Sequence, residues 1–243
     1  MNTFLGVEKA KMRRLSYLLK NRSNIKIISK YFKYNFFSSF EKKKRKIFLS
    51  KYREFLRSKS LTQDWFSHNS FDWEIVLKNF KDKKFDYLEI GSFEGISAMY
   101  VLNFYSKANI CCVDSWSEFT TGNEGLPIKI VEENFDKNLS LYQDKFEKFK
   151  MKSNEFFSKN KKEFDIIFID GSHHANDVLE DCLESWKILK KDGIMIIDDY
   201  FWTGYENHLF NPIHGINNFF RSFKKYFNVL RVSKKQVFIK KIV

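Results

Sequence analysis

Cysteine is scarce, apolar runs are short, and the first quarter of the chain has almost no acids. The three cysteines of this 243-residue sequence are the adjacent pair Cys111 and Cys112 and the isolated Cys182. That spacing excludes a C-x-x-C pair and a disulfide framework, and it predicts a reducing, cytoplasmic setting. No apolar stretch approaches the ~18 residues of a membrane span, and the N-terminus lacks the apolar core of a signal peptide. A soluble chain is expected, one still free to lie against a membrane surface. Residues 1–60 hold 18 Lys or Arg against Glu8, Glu41 and Glu54, a net of +15. Residues 61–243 hold 25 against 27 acids, a net of −2, so the whole basic excess of +13 sits in the first quarter.

What is present is apolar enough to fold. Hydrophobic residues make 43% of the chain and aromatics 18%, a globular rather than disordered composition. The length suffices for one α/β domain and an appendage. The charge step divides the chain into a basic, aromatic helical extension over 1–60 and an α/β domain over 61–243. In the extension Tyr31, Phe32, Tyr34, Phe36, Phe37 and Phe40 interleave with cations ahead of Lys42-Lys43-Lys44-Arg45-Lys46. Ile47, Phe48, Tyr52, Phe55 and Leu56 recur at helical spacing, so two or three amphipathic helices are expected. Such a segment suits anionic lipid headgroups, nucleic acid or an acidic acceptor; the plain alternative is the solvated face of accessory helices. The chain's 35 lysines against 8 arginines count against nucleic acid as a partner, because base readout leans on arginine. Aromatic faces that sink while lysine stems snorkel favour an anionic membrane surface, in a recruiting role separable from chemistry.

The domain is organised around Phe85-Asp86-Tyr87-Leu88-Glu89-Ile90-Gly91-Ser92-Phe93-Glu94-Gly95-Ile96-Ser97. An apolar run rises to Glu89, breaks at Gly91 and resumes beyond Gly95 with helical spacing, which predicts strand, tight turn and helix. Glycine permits the turn and lets a ligand approach with no Cβ between. The helix N-terminus offers free N–H groups to an anionic group. The third glycine of G-x-G-x-x-G is missing, with Phe93 between Gly91 and Gly95, so the dinucleotide fingerprint is not met. Glu89 suits a cationic ligand better than a pyrophosphate.

Three more strands end in acids. Residues 109–113 lead to Asp114, 23 residues beyond Gly91, where a nucleotide-binding sheet places the carboxylate that grips a ribose diol. Ser115 and Trp116 follow, placed to flank an adenine ring. Residues 120–127 read as a loop, 128–142 as a helix, 145–151 as a strand, and Ser153 as the N-cap of a short helix. The apolar run 164–169 ends in Asp170-Gly171-Ser172-His173-His174 and leads into a helix striped by Ala175, Val178, Leu179, Cys182, Leu183 and Trp186. Lys190-Lys191-Asp192-Gly193 is expected to close that helix. Residues 194–197 then form a strand ending in Asp198-Asp199-Tyr200. An aromatic insertion over 200–212 is a candidate acceptor wall. A helix over 213–226 and a hairpin of 227–232 with 236–240 complete the chain. In an open parallel sheet the C-terminal strand ends share one edge, so Glu89, Asp114, Asp170 and Asp198-Asp199 converge there.

Glu89-Ile90-Gly91-Ser92-Phe93-Glu94-Gly95, Asp114, Ile169-Asp170-Gly171-Ser172-His173 and Asp198-Asp199-Tyr200 together resemble the class I S-adenosylmethionine-dependent methyltransferases. D-G-S-H, a helix and D-D-Y are similar to the branch that includes metal-dependent sugar O-methyltransferases. The resemblance covers about residues 61–243. It implies an α/β fold: a doubly wound, mostly parallel seven-stranded sheet with a C-terminal antiparallel strand. It implies S-adenosylmethionine as cofactor, with Glu89, Gly91, Ser92, Phe93, Glu94, Gly95 and Ser97 about the methionine half. Asp114 would hold the ribose, Trp116 and Ser153 would lie near adenine with Ser115 beside them, and Asp170 would sit where both sites meet. Asp170, Asp198 and Asp199 would hold a divalent cation such as Mg²⁺, a donor set suited to a hard ion. His173, with Asp170, would carry the chemistry by taking the proton of an acceptor hydroxyl on a small molecule or glycan. Phe93 departs from the three-glycine pattern of many members, which alters the turn. A nicotinamide-dependent dehydrogenase is the alternative enzyme, against which the missing glycine and Asp198-Asp199 count. A non-catalytic cofactor-fold module tethered by its basic segment is the other, against which acids at every strand end count.

Overall fold

From residue 85 onward short apolar runs alternate with helical stripes, and the chain answers with strand and helix in turn. The structure, a computed structural model, describes residues 2–117 and 127–243. The loop expected at 120–127 falls, up to residue 126, outside the described residues. The elements are α1 (Asn2–Lys20), α2 (Ile25–Leu56), α3 (Ser70–Leu77), β1 (Phe85–Ile90), α4 (Ile96–Phe104), β2 (Ala108–Asp114) and α5 (Ile128–Leu139). There follow β3 (Phe146–Lys150), α6 (Ser153–Lys159), β4 (Phe164–Ile169), α7 (Ala175–Ile188), β5 (Leu189–Ile197), α8 (Pro212–Ser222), β6 (Phe227–Val232) and β7 (Val237–Lys241).

The strands form one seven-stranded sheet in the order β3-β2-β1-β4-β5-β7-β6, with β7 running antiparallel to both its neighbours and the rest parallel. Register is what matters for function. Ile90 pairs with Val113 on one side and Ile169 on the other, and Ile169 pairs with Ile197. The next residue of each strand therefore falls in one row: Asp114, Gly91, Asp170 and Asp198. The backbone carries the row onward, with Gly91 N donating to Val113 O at 2.8 Å, Asp170 N to Ile90 O at 2.8 Å and Asp198 N to Ile169 O at 3.0 Å.

Alternation along the strands feeds two cores. Leu88, Val113, Ile167, Ile169, Met195 and Ile197 face one side with Cys182 and Trp186 of α7 and Phe219 of α8. Tyr87, Ile110, Cys112, Ile166, Phe168 and Ile196 face the other with Trp73 of α3 and Met99 and Tyr100 of α4. Both faces are covered, as a parallel sheet requires.

The basic extension is part of this packing. Ile27 and Tyr31 of α2 join the first core, while Tyr52 and Leu56 join the second. Tyr52 is fully buried and donates its hydroxyl to Ile96 O at 2.6 Å. Arg45 grips the buried Asp72 with two 2.8 Å bonds, and Arg231 of β6 reaches Asp72 at 2.6 Å and Glu41 at 2.6 Å. The step in charge at residue 60 thus does not coincide with a break in packing: the extension is built into the domain. Removing it would strip cover from Phe66, Trp73 and Tyr100, which share one aromatic cluster with Tyr52.

Smaller boundaries also move. Residues 190–193 do not close α7; they belong to β5, whose pairing with β4 shifts register between Phe164 and Ile166. Asp192 there has φ +65°, the local irregularity that lets Leu189 keep its place in the core. Lys152, not Ser153, is the N-cap of α6. The helix begun at Ile128 stops at Leu139 and tightens into a 3-10 turn over Ser140–Lys145, and α8 ends at Ser222. Among the described residues no helix is long and apolar enough to cross a membrane.

Candidate active site

The row of strand ends floors a cavity of about 670 Å³. Gly91, Phe93, Asp114 and Ser115 line one side of it; Asp170, His173, Asp198 and Asp199 line the other; Trp65, Trp202 and Lys235 complete the wall.

The turn after β1 is shaped by contact with β4. Gly91 has φ +86°, and a Cβ there would overlap the Asp170 carbonyl. Gly95 has φ +80° at the start of α4, where a Cβ would strike Leu139. Phe93, at φ +50°, takes the left-handed conformation that a glycine would take at lower cost. Trp116 (φ +41°) and Asp199 (φ +55°) do the same on the other strand ends, so three strained non-glycine residues ring the site. Asp114 holds two of them. Its Oδ2 accepts from the Ser92 and Phe93 amides at 2.9 Å each and its Oδ1 from the Trp116 amide at 2.8 Å, while Trp116 Nε1 donates to Phe93 O at 2.9 Å. Withdrawal from water raises the Asp114 carboxyl, and those amide bonds oppose the rise.

Of the residues expected about a cofactor, Gly91, Phe93, Asp114, Ser115, Ser153 and Asp170 reach the cavity wall. Glu89, Ser92, Glu94, Gly95, Ser97 and Trp116 are not on it. Glu89 is fully buried; Tyr87 donates to its Oε2 at 2.6 Å, and burial pushes its carboxyl up to about 7. Among the described residues its Oε1 and the buried Ser92 Oγ have no hydrogen-bond partner. Glu94 turns away to tie down the segment before α3, accepting from the Thr62 amide at 2.8 and 2.9 Å and from Asn134 Nδ2 at 2.7 Å. Trp116 is buried against Phe135, with ring centroids 4.8 Å apart, a pillar rather than an open ring face.

On the acidic side Asp170, His173 and Asp199 each offer a ligand atom, all within 4.8 Å of one another. His173 Nε2 lies 2.7 Å from Asp199 Oδ2, and its ring stacks on Trp202 with centroids 4.7 Å apart and planes 19° apart. Desolvation, then Asp198 and Asp199, drive the Asp170 carboxyl well above the usual range, with Lys235 opposing. Asp198 departs from the expected ligand set. Its Oδ1 accepts from the Asp199 amide at 2.7 Å and its Oδ2 from Gln236 Nε2 at 2.8 Å, Gln236 being fixed in turn by Trp73 Nε1 at 2.9 Å. Each oxygen thus accepts one bond, and Asp198 lies beside the group of three whose ligand atoms fall within 4.8 Å of one another. Burial, then Asp199, pushes its carboxyl up to about 7. His174 is the N-cap of α7, where its ring accepts from the Asn176 amide.

Three further residues stand on the wall. Trp65 packs on Phe93 at 4.6 Å, and only the fold brings it there. Lys235, in the β6–β7 turn, read as hairpin punctuation. Asp181 carried a legible sign: it lies at i+3 from Val178 on the stripe of α7, so a charge stands where an apolar residue belongs. The aromatic insertion contributes Trp202 to the wall, but Tyr200 is buried and bonds Asn217 Oδ1 at 2.6 Å and Ser23 Oγ at 2.9 Å.

Comparison with known proteins agrees with this geometry. Residues 88–200 match the family model of a methyltransferase domain. Among solved structures, the MycE methyltransferase of the mycinamycin biosynthetic pathway, in complex with Mg and SAH, superposes with a TM-score of 0.57 at 14% identity, over 80% of this chain and 54% of its own. The O-methyltransferase TomG from Streptomyces achromogenes, involved in tomaymycin synthesis and in complex with SAM, gives 0.56 at 14% identity, over 80% of this chain and 89% of its own. The chain thus spans about half the length of MycE. No curated protein matches the sequence.

Proposed function

We propose that this chain, whose residues 88–200 match a methyltransferase-domain model, is a class I methyltransferase that transfers the methyl group of S-adenosylmethionine to a hydroxyl oxygen of a saccharide or other small acceptor, with a divalent cation assisting. The observation that carries the reading is the row Asp114, Gly91, Asp170 at one sheet edge, with Asp170, His173 and Asp199 gathered beside it. The cofactor half fits its group. Gly91 keeps the turn free of a Cβ, and Glu89 Oε1 and Ser92 Oγ remain unpartnered beneath it. Asp114 still has acceptor lone pairs for a ribose diol, and Ser115 and Ser153 border the same space. Glu89, Ser92, Glu94, Gly95, Ser97 and Trp116 act from below by holding the turn in shape.

The acidic half fits a hard cation: two carboxylates and an imidazole converge, with room for water or an acceptor oxygen. Asp170 and Asp199 would hold it, Asp198 orienting Asp199 through the amide bond. A bound divalent cation would lower the pKa of an acceptor hydroxyl and favour its oxyanion. His173, oriented by Asp199 and by stacking on Trp202, takes the hydroxyl proton. The methyl group then passes in line from sulfur to oxygen, so the chain's task is positioning and charge placement. Trp65, Phe93 and Trp202 give the acceptor a wall of flat apolar faces, suited to the C–H face of a sugar or to a planar ring. Calorimetric titration with S-adenosylhomocysteine, with and without Mg²⁺, tests the reading. Tight binding with poor NAD binding is expected; equal affinity for NAD would overturn it. Turnover of a hydroxyl acceptor that EDTA leaves unchanged would remove the cation.

A further inference from the structure

The two faces of α2 are occupied differently. One packs on the domain through Ile27, Tyr31, Tyr34, Arg45 and Tyr52. The opposite face is exposed among the described residues and is aromatic: Phe32, Phe36 and Phe40, at intervals of four, are 54%, 67% and 72% exposed. Phe36, Phe37 and Phe40 lie ring against ring with centroids 5.1–6.3 Å apart, and Ile47, seven residues past Phe40, continues the ridge at 50% exposed. Large apolar side chains contiguous on a surface mark a binding face. The folded domain makes no use of these rings.

Charge selects the occupant. Lys33, Lys43 and Lys44 are exposed along the same face. Over the span 32–47 the one acid of α2, Glu41, is engaged by Arg231 and Arg45 on the side that faces the domain; Glu54, near the C-terminal end of the helix, is paired with Arg57. The arginines of α2 are elsewhere too, with Arg45 turned inward onto Asp72 and Arg53 beside Asp64. From Phe32 to Ile47 the face is therefore rings and lysines without an acid or a guanidinium fork. That is poor for reading phosphates bidentately along a nucleic acid. It is well suited to a bilayer interface, where rings sink to the acyl boundary while ammonium groups stay at anionic headgroups. It is also a convex ridge, the shape that a flat deformable surface accepts and that a groove must be built to match.

We propose that this face of α2 docks the folded enzyme onto an anionic lipid bilayer. Each lysine near such a surface adds an increment of attraction that salt screens, and the rings add one that salt spares. The experiment is flotation of the full chain with phosphatidylcholine vesicles with or without about 30% phosphatidylglycerol, an anionic content within the range such segments sense. Flotation is expected only with the anionic vesicles and should weaken between ~0.1 M and ~1 M salt, as the Debye length shortens from ~10 to ~3 Å. The triple variant Phe32→Ser, Phe36→Ser, Phe40→Ser should lose flotation by tenfold or more. Lys33→Gln, Lys43→Gln, Lys44→Gln should do likewise, both keeping the wild-type thermal midpoint and affinity for S-adenosylhomocysteine. Absence of flotation with anionic vesicles overturns the proposal, as does a serine variant that floats like the wild type. A dimer in solution that the serine variant breaks, without flotation, would assign the face to a second copy instead.

Discussion

Asp114 and Asp170 are the same residue at equivalent places, each at the C-terminal end of a parallel strand, two positions apart in one row. Both carboxyls are raised by withdrawal from water, yet their surroundings are opposite. Asp114 is caged by three backbone amides, all favouring its anion. Asp170 has carboxylates for neighbours, Asp198 and Asp199, with Lys235 in partial opposition. A satisfied carboxylate is a rigid acceptor for neutral hydroxyls. A crowded one concentrates negative charge, which a proton or a cation would relieve. The strand end supplies only the position; amides on one side and acids on the other decide the role.

The sharpest way to break this comparison is to neutralise the crowded partner. Asp170→Asn should lower turnover by ~10³-fold or more, about 4 kcal/mol of transition-state stabilisation. S-adenosylhomocysteine affinity, measured by calorimetry, should change far less. Turnover within tenfold of wild type would mean that the acid cluster is structural. A buried aspartate outside the site provides the scale for stability. Asp72 is satisfied by ion pairs rather than amides, from Arg45 and Arg231. Asp72→Ala leaves both guanidinium groups half-buried with a lost partner and should cost about 3–5 kcal/mol in urea unfolding. A loss under ~1 kcal/mol would show that the pairs are as weak as exposed ones.

The difference between these acids shows where sequence reading reaches and where it stops. The strand-turn-helix at Gly91, the run of acids at strand ends and the final hairpin were legible, because they follow from local pattern and backbone chemistry; the antiparallel C-terminal strand followed from the family resemblance. Which acids share a ligand was not. Asp198 and Asp199 are adjacent in sequence, and only the reach of Gln236 and Trp73 from two other elements turns Asp198 aside. Glu94 likewise reads as part of the glycine turn until Thr62 and Asn134 are seen to claim it. For the basic extension, composition gave the charge correctly but misled on packing. One helix carries both the tyrosines that anchor it and the phenylalanines that face solvent, a distinction the aromatic count conceals.

On the amide side the expected effect is smaller. Asp114→Ala removes the carboxylate proposed to accept from a ribose diol and releases the Ser92, Phe93 and Trp116 amides. Lost hydrogen bonds to a charged group are worth about 1.5–3 kcal/mol, so S-adenosylhomocysteine should bind roughly ten- to a hundredfold more weakly. Asp114→Asn keeps one acceptor oxygen and should fall between. If alanine and wild type bind alike, the cage exists to hold the strained turn, and the comparison with Asp170 loses its functional meaning.

The last test reads a slope. Asp181 is buried on the apolar stripe of α7, where burial raises its carboxyl to about 7, the Ser153 hydroxyl opposing and Asp177 and Glu180 adding to the rise. It has neither the amide cage of Asp114 nor the paired arginines of Asp72. The folded state thus keeps a proton that the unfolded chain, titrating near 3.8, gives up. Its contribution to stability is fully present below that unfolded value and is lost as pH rises toward the folded one. Between about pH 4 and pH 7 the slope from this one group is at most about 1.4 kcal/mol per pH unit. Asp181→Asn, which stays neutral, should flatten the fall of the urea midpoint across that window and stand above wild type beyond it. Glu89 and Asp198, both raised to about 7, keep their own share of the slope in the variant, so flattening is partial. A variant whose profile parallels wild type throughout would mean that water or a neighbouring group already satisfies the Asp181 anion in the fold.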